Sequence, residues 1–195
     1  MDNTYHKTNL KEELIKNTIE MIAKEGVKSV SMRSLALKCN VSRQAPYSYF
    51  KNKEDMLQAA SDYVSNLFSE YLLKSIEGLD RHDPKTLNTM GYAYINFFKE
   101  NPYYFDFIYN NGLFDIVVTL DEVPDNFKPF DVFRMICAEL TEIYHMPKSL
   151  GLANLVRCFS IVHGAAMLVS SKNVKFDDLD VCLSQLFNFS GREQI

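Results

Sequence analysis

Apolar residues recur at intervals of three and four through most of this chain, which is the spacing of one face of an α-helix. A first apolar face extends from Leu14 to Ala23 and ends before Gly26, a residue typical of helix C-termini. Asn9 followed by Glu12 resembles a capping box, so the pattern predicts a first helix that begins there. With only 7 Gly and 6 Pro to interrupt it, the chain as a whole is predicted to be all-α.

The segment from Ser31 to Phe50 has the pattern of a helix-turn-helix. Ser31 is typical of a helix N-cap, and the apolar stripe that follows it ends at Cys39, barely two turns later. Asn40 tolerates the left-handed backbone of a tight turn, and Ser42 is placed to cap a third helix. Two short helices joined by such a turn are typical of a DNA-reading unit.

The predicted third helix has a polar outer face formed by Arg43, Gln44, Tyr47 and Ser48. Arginine and glutamine each offer two hydrogen bonds to a purine edge in the major groove, while serine and tyrosine hydroxyls suit phosphate oxygens. Pro46 removes an amide from the first turn, which predicts a short and slightly distorted recognition helix.

Further helices are predicted after this unit, giving about nine in all. We define the head as residues 1–52, a three-helix DNA-binding domain, and the body as residues 53–195, a helical ligand-binding and dimerisation domain. The helices expected in the body are a long one from Lys53 towards Gly78, then Lys85–Lys99, Tyr103–Asn110, Pro129–Tyr144, Leu150–Ser171 and Asp177–Phe189.

Charge is divided unevenly between the two ends of the chain. Residues 1–60 carry a net charge of +3, although the whole chain carries −4. A basic head on an acidic body suits a small DNA-binding protein, because the basic end is drawn to phosphates while the body is repelled.

Several classes of protein are not favoured by the residue pattern. The four cysteines are scattered without a CxxC pair and the histidines do not fall at metal-ligand spacing, so we expect reduced, mostly buried thiols, no metal and no cofactor. The most apolar stretch, Phe159 to Val169, is too short to cross a bilayer and contains His163. A soluble cytoplasmic protein is the expectation.

The head resembles the DNA-binding domain of the TetR family in an ordered, ungapped series of short segments. These are Gly26-Val27, Ser31-Met32-Arg33-Ser34-Leu35-Ala36, Val41-Ser42-Arg43, Tyr47-Ser48-Tyr49-Phe50 and Lys53-Glu54-Asp55-Met56-Leu57. The family has glycine where this chain has Asn40, which still permits the turn. The resemblance implies that Arg33, Arg43, Gln44 and Ala45 face base edges and that Ser31, Tyr47, Tyr49 and Lys53 hold phosphates, with an ordinary solvated lysine as the alternative for Lys53. The full predicted DNA-binding set is Ser31, Arg33, Ser42, Arg43, Gln44, Ala45, Tyr47, Ser48, Tyr49 and Lys53.

The body resembles the TetR subfamily that carries a Trp-His-Gly motif. Glu100 to Phe105 and Val162-His163-Gly164 match, with Val162 in place of tryptophan. The resemblance implies a small-molecule pocket in the body, and the many aromatic residues between Tyr92 and Tyr109 suit an apolar or aromatic ligand or, alternatively, plain core packing. His163 is either a polar contact for the ligand or a core histidine bonded to a backbone carbonyl. The predicted ligand residues are Tyr92, Phe97, Tyr104, Phe107, Phe133, His163 and Met167.

The last two predicted helices carry more apolar surface than one face of a monomer needs, which indicates a homodimer through a four-helix interface, as the family implies. The residues predicted at this interface are Leu155, Phe159, Val162, Ala166, Leu179, Leu183, Leu186 and Phe187. A symmetric dimer presents two recognition helices roughly 34 to 36 Å apart, or a multiple of that distance, and so predicts a palindromic operator.

Taken together, these patterns favour a TetR-like repressor that a small molecule releases from double-stranded DNA. An activator of the same architecture is an alternative. A second alternative is an enzyme that uses the aromatic cavity with His163 or a cysteine, although no catalytic motif supports it. A third is an interaction module that has lost DNA recognition, which the polar face at Arg43, Gln44 and Tyr47 argues against.

Overall fold

The computed structural model describes residues 3–171 and 173–186, with side chains from Leu10 onward except those of Asp180 and Ser184. Within those ranges the fold is all-α, as predicted, with eight α-helices and two short 3₁₀ helices and no strand. The α-helices are α1 Asn3–Glu25, α2 Met32–Lys38, α3 Lys53–Ser75, α4 Lys85–Glu100, α5 Pro102–Tyr109, α6 Lys128–Ile143, α7 Lys148–Ser170 and α8 Leu179–Leu186. The 3₁₀ helices are Val27–Ser29 and Pro46–Ser48.

The first helix begins earlier than its capping pattern predicts. α1 begins at Asn3, so Asn9 lies inside the helix and is not its N-cap. No glycine or proline lies between Asn3 and Asn9, so the backbone can propagate the helix through this segment. At its other end α1 stops as expected, with the Gly26 amide donating to the Ile22 carbonyl at 2.8 Å and Gly26 at a φ of 79°.

The continuous apolar core extends into the head, where α2 packs against α1 and against the second 3₁₀ helix. Leu14, Ile19 and Ile22 of α1 pack there with Leu35 of α2 and with Phe50, all at most 2% exposed. This core fixes the α2–turn–3₁₀ unit against α1, and the polar side of the unit is left outside.

Two contacts join the head to the body. α1 packs against α3, the long helix that leads out of the head, and also against α5. The 23 residues of α3 span about 35 Å at 1.5 Å per residue. Its buried side, from Met56 through Val64 and Phe68 to Leu72, runs from the head core into the body core.

The core of the body is built from aromatic rings. α4 lies at its centre and packs against α3, α5 and α7, while α6 packs against α3 and α7. Phe68 of α3 stacks on Phe97 of α4 at 4.2 Å between ring centroids, and the rings of Tyr94 and Phe98 contact Phe68 edge-on. These ring contacts attach α3, which leads out of the head, to the centre of the body.

α6 and α7 form an antiparallel hairpin joined by a tight turn. His145 takes a positive φ of 49°, and the next amide, that of Met146, donates to the Thr141 carbonyl at 2.9 Å. The two helices then approach so closely that a Cβ added at Gly151 would lie 2.2 Å from Thr141 Oγ1. Only glycine fits at this crossing.

α7 is the one helix in the described ranges that is long and apolar enough to cross a membrane by length and composition. It is much longer than the apolar run Phe159–Val169 on which the sequence expectation rested. Only 17% of its most apolar window is buried within the chain. One side of α7 packs along α4 and α6, and the exposed side includes Arg157.

Candidate nucleic-acid interface

The first helix of the helix-turn-helix begins at the predicted residue, with both of its cap hydrogen bonds formed. Ser31 Oγ accepts from the Ser34 amide at 3.1 Å, and Ser34 Oγ accepts from the Ser31 amide at 2.9 Å. A serine stands at the position where a capping box more often has glutamate or glutamine, and its hydroxyl makes the same reciprocal bond. The exposed Ser31 hydroxyl therefore has a structural role in addition to its predicted phosphate contact.

The turn after α2 is made by Asn40, which has a φ of 53°. Its amide donates to the Leu37 carbonyl at 3.1 Å, and the Val41 amide donates to the Ala36 carbonyl at 3.0 Å. These two bonds form a Schellman motif, in which the residue after the helix takes the left-handed conformation. Asparagine tolerates that conformation better than most side chains do, as the sequence predicts.

The recognition segment differs from the predicted α-helix. Residues after Ser42 form a backbone turn, closed by the Ala45 amide on the Ser42 carbonyl at 3.0 Å, and then the 3₁₀ helix Pro46–Ser48. Ala45, not Ser42, is the N-cap of this 3₁₀ helix, and it makes no side-chain cap bond. Pro46 has no amide to donate back to Ser42, so the i→i−4 ladder of an α-helix cannot form there.

The side chains of this segment still point where the sequence predicts. Ser42, Arg43, Gln44, Tyr47 and Ser48 are exposed, with Tyr47 at 54%. The other residues of the segment are less exposed: Ala45 and Tyr49 are half-buried, and Pro46 and Phe50 are buried. The turn thus exposes a guanidinium and a carboxamide to solvent, and the 3₁₀ helix that follows it exposes a phenol.

Two exposed residues of α2 adjoin this surface. Arg33 and Leu37 are four residues apart on one helix face, and Leu37 is 83% exposed. A shallow cleft of about 390 Å³ separates α2 from the turn, and its lining includes Arg33, Leu37 and Arg43. Sequence reasoning missed Leu37, although its position one turn after Arg33 was a usable signal.

Lys53 is held by the protein rather than freely solvated. Its Nζ donates to the Val27 carbonyl at 2.7 Å and so joins the start of α3 to the first 3₁₀ helix. Beside it, Asn52 Oδ1 accepts from the Asp55 amide at 2.8 Å, and Asp55 Oδ2 accepts from the Lys51 amide at 2.8 Å. An ammonium group has two further donors after this bond, so its phosphate role stays a prediction.

In the body, three of the predicted ligand residues lie within the packed core. Phe97, Phe107 and Phe133 are at most 1% exposed, with Phe97 stacked on Phe68. Tyr92 and Tyr104 are half-buried, and burial raises the pKa of Tyr104 to about 12. Their predicted contact with a ligand stays a prediction.

His163 belongs to a polar cluster inside this aromatic core. Tyr94 and Tyr109 share a hydroxyl–hydroxyl hydrogen bond of 2.6 Å, and His163 Nδ1 lies 3.4 Å from the Tyr94 hydroxyl. The Tyr109 ring meets the imidazole edge-on at 4.4 Å. Burial raises the pKa of both tyrosines and lowers the pKa of His163, so all three groups are neutral near pH 7. The contact of His163 is therefore a tyrosine hydroxyl, not the backbone carbonyl that the sequence alternative named.

Met167 lies at a cleft of about 500 Å³ between head and body. α1 contributes Lys24, α5 contributes Phe105 and Asp106, and α7 contributes Met167 and Ser170. The Ser170 hydroxyl is buried and has no hydrogen-bond partner among the described residues. A small molecule in this cleft would touch the head and the body together.

The structure corrects the predicted interface face of α7. Leu155, Val162 and Ala166 are at most 1% exposed and pack into the core of the single chain, so they are not on its outer surface. Phe159 is half-buried, with its ring 5.1 Å from that of Phe130. The exposed apolar residues of α7 are instead Leu150, Leu152, Val156, Met167 and Leu168. Because α7 is apolar on nearly all sides, periodicity could not select its outer face.

α8 adds a second partly exposed surface. Leu183 is buried, while Leu179 and Leu186 are half-buried against the core. Val181 is 56% exposed. The predicted interface residue Phe187 lies outside the described residues.

Comparison with known proteins places the head in a family. The sequence profile of the bacterial regulatory proteins of the TetR family matches residues 14–60, which contain most of α1, the whole helix-turn-helix and the start of α3. The head therefore matches the DNA-binding domain of the TetR family. The predicted resemblance is thereby confirmed on the segments that carried it.

Two curated relatives agree with this assignment. An uncharacterised HTH-type transcriptional regulator of Haemophilus influenzae is 35% identical over 71 residues, and these cover 36% of this chain and 38% of the relative. The regulator YerO of Bacillus subtilis is 27% identical over 135 residues, which cover 69% of this chain and 44% of that protein. The chain thus spans less than half the length of either relative.

Solved structures share the whole fold. A TetR-family transcriptional regulator from Haemophilus influenzae aligns over 93% of this chain and 96% of its own, with a TM-score of 0.61 and 22% identity. A TetR-like regulator from Rhodococcus aligns over 90% and 92%, with a TM-score of 0.63 and 15% identity. At such low identity the likeness establishes that the TetR-family fold extends through the body, and no more.

Proposed function

We propose that this chain is a TetR-like transcriptional repressor that binds a palindromic DNA operator as a homodimer and is released by a small molecule. The observation that carries the DNA-binding part is the surface formed by Arg43, Gln44 and Tyr47. All three side chains are exposed although they flank the buried Pro46. The capped α2 and the Asn40 turn hold this surface rigidly, as base readout requires. The comparisons point to a regulator rather than an enzyme, and we expect it to act in the cytoplasm.

The two regions have separate tasks in this proposal. The head, residues 1–52, supplies Arg33 and Arg43 for base edges and the hydroxyls of Ser31, Ser48 and Tyr49 for phosphates. The body, residues 53–195, holds two heads in register and receives the effector. Lys53 stands at the boundary and can contact a phosphate while it bonds to the head.

Dimerisation is proposed through the exposed side of α7 together with α8. Leu152, Val156 and Leu168 lie on this side, and a Cβ added at Gly164 would meet only open space. Small residues on an exposed apolar helix face let a second helix approach closely. Burial against the same face of a second copy removes this surface from water and gives the two-fold symmetry that a palindrome matches.

The dimer face can be tested with a matched pair of substitutions. Val156 and Val117 are similarly exposed, at 44% and 48%, but only Val156 lies on α7. We expect Val156→Glu to shift the protein from dimer to monomer in light scattering, because a carboxylate would be buried without a partner. Val117→Glu should leave the dimer intact. A dimer that tolerates Val156→Glu would refute this face.

The effector is proposed to be a small apolar or aromatic molecule that binds the body and favours a form that does not bind DNA. The cleft bordered by Lys24, Phe105 and Met167 supports this route, because its walls come from α1 in the head and from α5 and α7 in the body. A thermal-shift screen of aromatic and aliphatic compounds should find ligands that raise the melting temperature and lower DNA affinity together. Ligands that raise the melting temperature while leaving DNA affinity unchanged would contradict release by ligand.

The operator can be found by selection from a random library of DNA duplexes. We expect the purified protein to enrich an inverted repeat whose half-sites lie one helical turn, or a whole number of turns, apart. Arg43→Ala is the matched variant, since its side chain is exposed and its loss should leave the fold intact. We expect Arg43→Ala to bind more weakly and to lose preference at the base pair that Arg43 contacts. An unchanged preference at every position in Arg43→Ala, or enrichment of no repeat by the wild-type chain, would contradict the proposal.

A further inference from the structure

The α6–α7 hairpin brings two cysteines together in the body. Cys137 lies one turn before Thr141 of α6, whose side chain is in close contact with Gly151 of α7. On α7, Cys158 directly precedes Phe159. The Phe159 ring lies 5.1 Å from the ring of Phe130, which lies two turns before Cys137 on α6. In an antiparallel pair these two contacts bracket Cys137 and Cys158. Cys137 lies seven residues after Phe130 and Cys158 seven residues after Gly151, so each cysteine lies on the side of its helix that faces the other helix.

The two thiols are chemically unequal. The hydrogen bond that Cys137 donates lowers the pKa of Cys158 to about 7, and the neighbouring Arg157 guanidinium acts in the same direction. The same bond, together with burial, raises the pKa of Cys137. Cys158 is also the more accessible of the two, since it is half-buried while Cys137 is buried. Cys158 therefore has more thiolate character than Cys137 at neutral pH, which is the division of roles between an attacking and a resolving cysteine.

We propose that Cys137 and Cys158 form a peroxide-reactive pair that is oxidised to a disulfide joining α6 to α7. In the first step the Cys158 thiolate attacks a hydroperoxide, so that an S–O bond forms and the O–O bond breaks. The leaving alkoxide or hydroxide takes up from solvent the proton that Cys158 released on ionising, and departs as an alcohol or water. The Cys137 sulfur then attacks the Cys158 sulfenic acid, the S–S bond forms, and the hydroxyl departs with the Cys137 proton as water. Two thiols are oxidised and one peroxide is reduced, so the electrons balance.

The other two cysteines of the chain serve as internal controls. Cys39 is half-buried at the end of α2, where burial raises its pKa, so it lacks the features of a reactive thiolate. Cys182 is exposed on α8. Reaction at the proposed pair is thus distinguishable from general oxidation of accessible thiols.

A disulfide at this place would also affect the rest of the molecule. α6 packs against α3, which leads to the head, while α7 packs against α4 and α5. A covalent bond between α6 and α7 therefore fixes the relative position of the two sides of the body. This consequence for DNA binding rests on the proposed function, whereas formation of the disulfide does not.

The test treats the reduced full-length chain with hydrogen peroxide, alkylates the remaining thiols with iodoacetamide and measures the intact mass and the peptide map. We expect two of the four cysteines to resist alkylation and a peptide that links Cys137 to Cys158. Cys182→Ser should give the same linked peptide, and Cys158→Ser should abolish it. The wild-type map is decisive even if a variant folds poorly.

Three results would overturn the proposal: four alkylated thiols after oxidation, a disulfide that involves Cys182 instead, or an oxidised Cys158 beside a free Cys137. A second readout compares operator affinity of the reduced and oxidised protein, for which we expect a change of at least about 5-fold. A linked pair without this change would refute the coupling to DNA binding. Failure of both redox forms to bind any duplex would instead count against the proposed function and leave the disulfide standing.

Discussion

The head and the body of this protein are specified by different kinds of interaction. In the head, short-range hydrogen bonds set each boundary: the reciprocal bonds of Ser31 and Ser34 begin α2, and the Asn40 turn ends it. In the body, boundaries matter less than packing, because rings from α3, α4 and α6 fill the space between the helices. Local signals of this kind constrain individual residues of the head, whereas an apolar core like that of the body accepts many combinations of side chains.

The surfaces of the two regions differ in the same way. The head exposes polar groups such as those of Arg43 and Gln44, while α7 of the body exposes Leu152 and Val156. Polar groups held on a small rigid unit suit recognition of DNA, and an exposed apolar helix suits association with a second copy.

The largest effect is expected from breaking the body core at Phe68, on the helix that leads out of the head. Phe68 is fully buried and packs on Tyr94, Phe97 and Phe98, so Phe68→Ala should lower the free energy of unfolding by about 3–5 kcal/mol. Phe68→Leu is the milder control. Because α1 packs against α3 and α5, we expect head and body to unfold in one transition when urea unfolding is monitored by circular dichroism. A head that unfolds separately at its wild-type midpoint would contradict this coupling.

A smaller loss is expected from the turn of the head. Asn40→Val places a β-branched residue at a φ of 53°, which should cost about 1–2 kcal/mol of stability. Asn40→Gly should be neutral or stabilising, since glycine takes that conformation freely. Thermal denaturation of the two variants tests the assignment, and equal melting temperatures would show that the turn does not require a left-handed residue.

Ser31 separates the structural from the DNA-binding role of a head residue. Ser31→Ala should lose about 1 kcal/mol of stability because the cap bond to Ser34 disappears. Ser31→Asp should keep most of the stability, because aspartate caps helices well, but it should weaken DNA binding by placing a carboxylate near phosphate. If Ser31→Asp binds DNA as tightly as the wild-type chain, Ser31 does not face the backbone of the duplex.

The smallest expected effect is a pH dependence in the body. Burial lowers the pKa of His163 below 6.5 in the folded chain, so the unfolded chain binds more protons as the pH falls. The stability contributed by neutral His163 is therefore present above about pH 6.5 and is lost as the pH falls through the folded pKa. His163→Phe should reduce the decline in urea midpoint between pH 7 and pH 5. If the urea midpoint of His163→Phe falls as much as that of the wild-type chain, the pH dependence arises from groups other than His163.

Sequence reasoning recovered the helices better than it recovered their surfaces. The positions of α2 to α7 follow from apolar periodicity, and the exposed Arg43, Gln44 and Tyr47 follow from their helical spacing although the segment is 3₁₀. The start of α1 was wrong because a capping pattern can occur inside a longer helix. The outer side of α7 was wrong because a helix that is apolar on nearly every side has no single preferred face.

Long-range contacts were beyond the reach of sequence patterns. Lys53 bonds to the Val27 carbonyl, 26 residues away, and nothing in the local sequence of either residue indicates the pair. The same holds for Cys137 and Cys158, which only the α6–α7 hairpin brings together. Pairings of this kind depend on tertiary packing, which local propensity does not encode.

The central claim is that the surface around Arg43 binds duplex DNA, and its most direct test is fluorescence anisotropy of the selected operator across a series of salt concentrations. The account predicts that the logarithm of the binding constant falls linearly with the logarithm of salt concentration for the wild-type chain. It further predicts that Arg43→Ala loses about 1–3 kcal/mol of binding free energy, with the dimer and the melting temperature unchanged. A wild-type chain without salt-sensitive affinity for duplex DNA, or an Arg43→Ala variant that loses its dimer together with its DNA binding, would contradict the account.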